Sequence, residues 1–218
     1  MNKPLDPLLT PEKGLIFRVT HASNLPWILV NGLHCRSANV SDPNFISIGN
    51  PELIDLRARR EVPIAPFGTL DDYIPFYFTP FTPMMYNIRT GWGGIRKRNN
   101  DEIIILVSSI HDLRTAGLKY VFTDRHAYLR TAKFYGDTND LSKAVDYDLL
   151  RRRDFQRDPE DPEKVERYQA EALVHRHVPV SALTGIGCYS DDVRSRVEAD
   201  ATARNIALRI RVRREWYF

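Results

Sequence analysis

The order of hydrophobic and polar positions divides the chain into short strands and helices around one long polar interruption. Leu15 to Thr20 reads as a strand. Asn24, Leu25 and Pro26 then open a helix that Asn31 and Gly32 close, because proline suits a first helical turn and glycine a C-terminal stop. Residues 33 to 50 are rich in Ser, Asn, Asp, Pro and Gly and predict a loop. It exceeds the roughly 12 to 15 residues beyond which an unstructured connection tends to be functional or disordered. Pro51 to Arg60 predicts a helix with Leu53, Ile54 and Leu56 on one side and Arg57 at the edge of that face. Tyr73 to Thr79 is aromatic and strand-like, and Ile103 to Ser108 opens with the apolar run expected of a strand covered on both faces. Asp124 to Phe134 has helical spacing with Asp124 as N-cap. Three more strands are predicted at Ala170 to His175, Gly185 to Tyr189 and Ile206 to Arg213. In the last, Ile206, Leu208, Ile210 and Val212 point one way and Ala207, Arg209, Arg211 and Arg213 the other, giving a core face and a basic stripe. Helices separate the strands without a regular βαβ series, so a mixed α+β domain fits better than a doubly wound sheet.

With 218 residues, 43% hydrophobic and 27% charged, the chain can bury a sizeable core. Disorder and coiled coil fit poorly, and a single domain over residues 1–218 is expected. The longest apolar run, Ile103 to Val107, is far short of the roughly 20 residues needed to cross a bilayer. The N-terminus lacks a leader pattern, so a cytoplasmic protein without a membrane partner is expected. Cys35 and Cys188 are too few for a disulfide framework or an all-cysteine zinc site.

The formal net charge of +3 conceals a strong asymmetry. From Asp158 to Glu171 six acids face two bases, a balance of −4, and from Arg194 to Phe218 seven arginines face three acids, a balance of +4. Arg89, Arg96, Lys97 and Arg98 cluster around Gly91, Trp92, Gly93 and Gly94. A flexible, basic and aromatic segment suits a phosphate backbone with unstacked bases; a solvated loop is the alternative reading.

Standard motifs are absent. No GxxxxGK[ST] or GxGxxG occurs, and no GxSxG elbow. His175 and His177 would face one side of a strand, but no carboxylate or cysteine stands at matching spacing, so no metal site is expected.

Six segments remain: Phe17-Arg18-Val19-Thr20-His21 with Asn24-Leu25, Arg57-Ala58-Arg59-Arg60, Ile74 to Pro80 continuing to Pro83-Met84-Met85-Tyr86, Val121 to His126, Gln169 to Val174, and Trp216-Tyr217-Phe218. In this order they resemble the DarT family of DNA ADP-ribosyltransferase toxins, over nearly the whole chain. The resemblance implies an ADP-ribosyltransferase split β-sandwich with peripheral helices: two small sheets with NAD as co-substrate in the cleft between them, and no metal. It implies transfer of ADP-ribose to a base of single-stranded DNA, a bacterial cytoplasmic setting, and an antitoxin that removes the mark. A chain of this length is expected to leave no room for that antitoxin domain.

Carried over by position, the resemblance makes Glu171 and Arg57 catalytic. It implies NAD contacts by Arg18, Val19, Thr20, His21, Asn24, Trp27 and Arg57, and DNA contacts by Tyr77, Met84, Arg96, Arg125 and His126. The chemistry agrees for Glu171. Breaking the nicotinamide–ribose bond leaves positive charge on the sugar, and a carboxylate on the ribose 2′-hydroxyl stabilises that transition state beyond the ground state. The same carboxylate can take the ring-nitrogen proton of the attacking base. An arginine normally stays charged, which favours Arg57 as a clamp on the diphosphate and the incoming base over a proton carrier. His21 and Asn24 read equally as supports of the first helix, Trp27 as core, and Tyr77 and Met84 as part core, part base platform.

Two positions depart from the family pattern. Arg18 stands where relatives carry histidine, which leaves thymine or guanine as the modified base. Phe81 stands where relatives often have arginine, which bears on sequence preference near the DNA groove. A non-catalytic single-strand-binding protein and a transferase acting on RNA or protein are the rival readings.

Overall fold

Residues 7–218 are described by a computed structural model. The strands are β1 (Leu15–His21), β2 (Leu33–His34), β3 (Tyr73–Tyr77), β4 (Ile103–Ser109), β5 (Tyr120–Thr123), β6 (Phe134–Tyr135), β7 (Glu171–His175), β8 (His177–Val178), β9 (Gly185–Cys188) and β10 (Arg209–Val212). The helices are α1 (Leu25–Asn31), α2 (Pro51–Arg57), α3 (Pro83–Thr90), α4 (Ile110–Thr115), α5 (Leu141–Ala144), α6 (Tyr147–Arg152), α7 (Lys164–Arg167) and α8 (Asp191–Thr202). The fold is mixed α+β. Eight strands run in the order β10-β9-β4-β1-β3-β7-β5-β6, and β2 and β8 form a separate pair.

The eight-stranded sheet is two halves joined at a narrow seam. β1 registers with β4 along its whole length but with β3 only at Phe17 and Tyr77. Pro75 explains the opening. In an antiparallel strand one residue's N–H and C=O point to the same neighbour, and a proline has no N–H to offer. The Pro75 carbonyl faces β1 and is taken by a side chain, Arg18 Nη1 at 2.8 Å. Beyond Phe17 and Tyr77 the halves therefore part, and a cleft opens between them.

Ile103, Ile104, Ile105 and Leu106 of β4 are fully buried, as the apolar run predicts. Asn24 precedes α1, and Gly32 ends it with φ 75°, a conformation costly for other residues. A side chain at Gly32 would also strike the Val178 carbonyl. Trp216 packs edge-on against Phe17 at 5.2 Å, and the Tyr217 hydroxyl reaches the Ile103 and Gly187 carbonyls. The terminal aromatics thus tie the chain end to the sheet.

Several expectations change. Residues 124–133 form no helix: they are the loop of the β5–β6 hairpin, closed where Lys133 N donates to Asp124 Oδ1 at 3.0 Å. Helical spacing there lost to pairing across the hairpin. The predicted helix from Pro51 ends at Arg57, and none of its residues is buried. Its apolar side, Leu53 and Ile54, lines the cleft instead of the core. The last strand is trimmed to Arg209–Val212 and keeps its alternation, with Ile210 buried and Arg209 and Arg211 exposed. It lies at the outer edge of the sheet, five strands from β7. His175 and His177 do not share a face, because Arg176 at φ 67° turns the chain between them. His175 packs on Tyr73 and His177 on His34.

Candidate active site

Glu171 starts β7 beside Tyr77, its cross-strand partner at the seam. It is 1% exposed. Arg57, 114 residues away at the end of α2, meets it side-on. Nη1 donates to Oε1 at 2.9 Å and Nη2 to Oε2 at 2.7 Å. His126 Nε2 stands 3.6 Å from Oε1. Burial pushes the Glu171 carboxyl up, but the charges of Arg57 and His126, the Arg57 hydrogen bonds and the Ala127 N–H outweigh it and hold the group below its ordinary value. Burial likewise opposes charge on Arg57, and Glu171 more than offsets it. For His126 burial prevails and its proton affinity falls. The centre is an ionised carboxylate gripped by a guanidinium, with an imidazole of lowered proton affinity alongside.

The segment Thr123 to His126 builds this corner residue by residue. Glu171 N donates to Thr123 Oγ1 at 3.2 Å, and that hydroxyl donates to the Arg125 carbonyl at 2.6 Å, so one threonine fixes both the start of β7 and the turn. Asp124 closes the hairpin. Arg125 is ion-paired to Asp124, Glu163 and Glu166 at 3.4, 3.0 and 3.2 Å. Its guanidinium, expected as a DNA contact, here braces the hairpin against the acidic stretch. The turn delivers His126 to the cleft wall.

The cleft has a volume of about 600 Å³. Arg18, Val19, Thr20 and Trp27 line one side, and Arg57, His126, Gln169 and Glu171 the other. Tyr77 and Met84 lie at the seam, with the Tyr77 hydroxyl 3.5 Å from Met84 Sδ. Burial pushes the Tyr77 hydroxyl well up, so it stays protonated. Arg18 is half-buried; desolvation lowers its pKa to about 10, and its Nε has no hydrogen-bond partner. It is a charged, partly unsatisfied donor facing a cleft whose carboxylate is already matched by Arg57. That donor set, with the aromatic and aliphatic walls, fits a dinucleotide carrying a diphosphate and an amide.

Two expected NAD contacts lie elsewhere. His21 alternates with Thr20 along β1, turns away from the cleft and lines a separate hollow. Asn24 is buried and grips the long loop: Oδ1 accepts from Ile46 N at 2.8 Å, and Nδ2 donates to the Ile46 carbonyl at 3.0 Å and to Thr20 Oγ1 at 3.2 Å. Residues 35–50 are thus tied to β1, with Val40 and Phe45 half-exposed at the cleft. This anchoring was not readable from the loop, since no local pattern pairs Asn24 with Ile46. Trp92 is 70% exposed at the cleft mouth, and Arg96 is exposed just beyond it. Phe81 is buried against Phe218 at 3.9 Å, outside the lining of the cleft.

The sequence model of the family described as ssDNA thymidine ADP-ribosyltransferase, DarT, matches residues 17–218. The chain belongs to the DarT family. A DNA ADP-ribosyl transferase of Escherichia coli O127:H6 is 50% identical over 210 residues, 96% of each chain. Another from Thermus sp. strain 2.9 is 36% identical over 95% of this chain and 98% of its own. Solved structures agree with this DarT assignment. Thermus sp. 2.9 DarT in complex with ADP-ribosylated ssDNA superposes with a TM-score of 0.87 at 32% identity, covering all of both chains. The same protein in complex with NAD+ gives 0.83 at 33% identity, over 95% of this chain and 99% of that one. Among the described residues no group of three or more His, Cys, Asp or Glu is arranged to hold a metal ion, and no helix is long and apolar enough to cross a membrane.

Proposed function

We propose that this chain transfers ADP-ribose from NAD to a thymine of single-stranded DNA, releasing nicotinamide. The observation that carries it is the buried, ionised Glu171, held by Arg57 at the floor of a cleft between two half-sheets. In the reaction the bond from ribose C1′ to the nicotinamide nitrogen breaks. A bond from C1′ to the ring nitrogen of the base forms, and the proton of that nitrogen leaves. Glu171 accepts the ribose 2′-hydroxyl hydrogen bond where positive charge develops, and then takes the proton. Arg57 orients the carboxylate and keeps it ionised until the base arrives. This replaces a clamp on the diphosphate as its main task, because both of its terminal nitrogens are engaged.

Arg18 and Thr20 bind NAD, Trp27 packs against it, and the loop over residues 33–50 covers it. His126, Tyr77 and Met84 hold the target base, and Trp92 and Arg96 hold the strand beside it. Single strands suit the chemistry, because the reacting nitrogen is engaged in pairing in a duplex. The family description supports thymine over guanine. Residues 1–218 act as one transferase domain in the bacterial cytoplasm, opposed by an antitoxin that removes ADP-ribose from DNA.

The test is to incubate the chain with labelled NAD and matched DNA, RNA and protein acceptors. Label should enter thymine-containing single-stranded DNA. Label in RNA or protein alone would contradict the assignment.

A further inference from the structure

A second hollow of about 450 Å³ lies behind the wall of the cleft. β1 and α3 form that wall: Thr20 and Asn87 face the cleft, whereas His21 and Arg89 face the hollow. Arg196 of α8 stands in the hollow as well. Neither Arg89 nor Arg196 is held by a carboxylate or a hydrogen bond from any described residue. The acids present are otherwise engaged: Asp101 Oδ1 accepts from Ser190 Oγ at 2.6 Å, and Glu102 is bound by Arg98 at 3.0 Å and by Asn99 N at 2.8 Å.

His21 is 7% exposed, and its Nδ1 accepts from Ser23 N at 3.2 Å, so the proton of the neutral ring is on Nε2. That Nε2 has no hydrogen-bond partner, since Glu102 Oε1 lies at 3.6 Å. Burial first, and then the charges of Arg98 and Arg96, lower the proton affinity of His21 against the pull of Glu102. The ring therefore adds no charge to the hollow, and its enclosed Nε2 faces Glu102 and not the opening.

α3 leads directly into the loop carrying Trp92 and Arg96, at the mouth of the cleft. Arg89 thus sits on the helix that leads to Trp92. The geometry points to a second phosphate subsite here, in which Arg89 and Arg196 take backbone phosphodiesters of the DNA flanking the modified base. This rests on the DNA-modifying reading above.

The test measures binding of labelled thymine-containing single strands of about four and about sixteen nucleotides, which span the usual footprint of one such module. The R89A/R196A double variant should bind the long strand about tenfold more weakly and lose about 1.4 from its log–log salt slope, as expected for two phosphates. Binding of the short strand and the KM for NAD should not change, and R89K/R196K should recover most of the loss. An unchanged long-strand affinity in R89A/R196A overturns the subsite, as does an equal loss on both lengths. Failure of the unmodified chain to transfer ADP-ribose would fault the enzymatic reading, while the binding comparison still decides the subsite. Weakened binding reversed equally by inorganic phosphate on both lengths would mark a free-phosphate site and overturn it too.

Discussion

Arg57 and Glu171 share two parallel hydrogen bonds, 2.9 and 2.7 Å long, although 114 residues separate them in the chain. The pairing makes Glu171 a poor target for truncation. Removing the carboxylate leaves the half-buried Arg57 guanidinium unpaired, a loss whose upper range is the about 3–5 kcal/mol of a fully buried pair. Glu171→Gln retains the volume and one acceptor, and should reduce transfer roughly a hundred-fold or more. Its affinity for single-stranded DNA should stay within a few-fold of the parent. Transfer at the parental rate by a folded Gln variant would remove Glu171 from the chemistry.

Arg57→Lys exchanges a two-point grip for a single flexible charge. Glu171 then loses part of what holds its carboxyl low, so its pKa rises. The acidic limb of the kcat/KM profile should move to higher pH and kcat should fall. Pre-steady-state or steady-state rates between pH 4 and 8 would show this. An unshifted limb would mean that Arg57 does not set the state of the carboxylate.

Stability should follow pH through two windows. His126, depressed below 6.5, contributes stability that is complete above its unfolded value and fades as pH falls from 6.5 toward its folded value. Its contribution adds to those of His21 and His175, which shift the same way. Glu171, depressed below 4.5, loses its contribution as pH falls from that value through its folded one. Thermal melts should thus be flat above about pH 7 and decline in two steps below it. His126→Gln should shallow the upper step and move the lower one slightly to higher pH, because His126 helps hold Glu171 low; an unchanged upper step would count against this assignment.

Asn24→Ala breaks the tie between β1 and the long loop and leaves the Ile46 backbone unpaired, a cost of about 1–3 kcal/mol. The expected kinetic signature is a raised KM for NAD with kcat at saturating NAD little changed. A direct NAD contact by Asn24 would instead lower kcat as well.

Trp92→Ala should weaken DNA by about 1–3 kcal/mol, the range for losing one stacked base. The KM for NAD should not move. Equal effects on both substrates would place Trp92 in the NAD cleft and not on the DNA path.

Local signals carried the fold where they were decisive. Pro26 and Gly32 bracket α1, and the isoleucines of β4 announce a central strand. The hairpin loop over 124–133 was misleading because the segment from Asp124 to Phe134 has helical spacing behind an N-cap residue, while the tie that overrides it, Asp124 to Lys133, spans nine residues and leaves no periodic trace. The site was legible through scattered motifs matching a family, not through any spacing that brings Arg57 to Glu171. The ion pairs of Arg125 left no local sign, because the acids lie 38 and 41 residues away. His21 was within reach of the pattern: strand alternation sets it opposite Arg18 and Thr20, and only the motif placed it beside them.

The central claim is most directly tested by intact-mass analysis of a thymine-containing single strand incubated with the chain and NAD, followed by fragmentation to locate the adduct. The account predicts a gain of one ADP-ribose on thymine, little or none on the same sequence annealed into a duplex, and loss of the product with Glu171→Gln. No mass gain on any single-stranded DNA, with NAD intact, would contradict it.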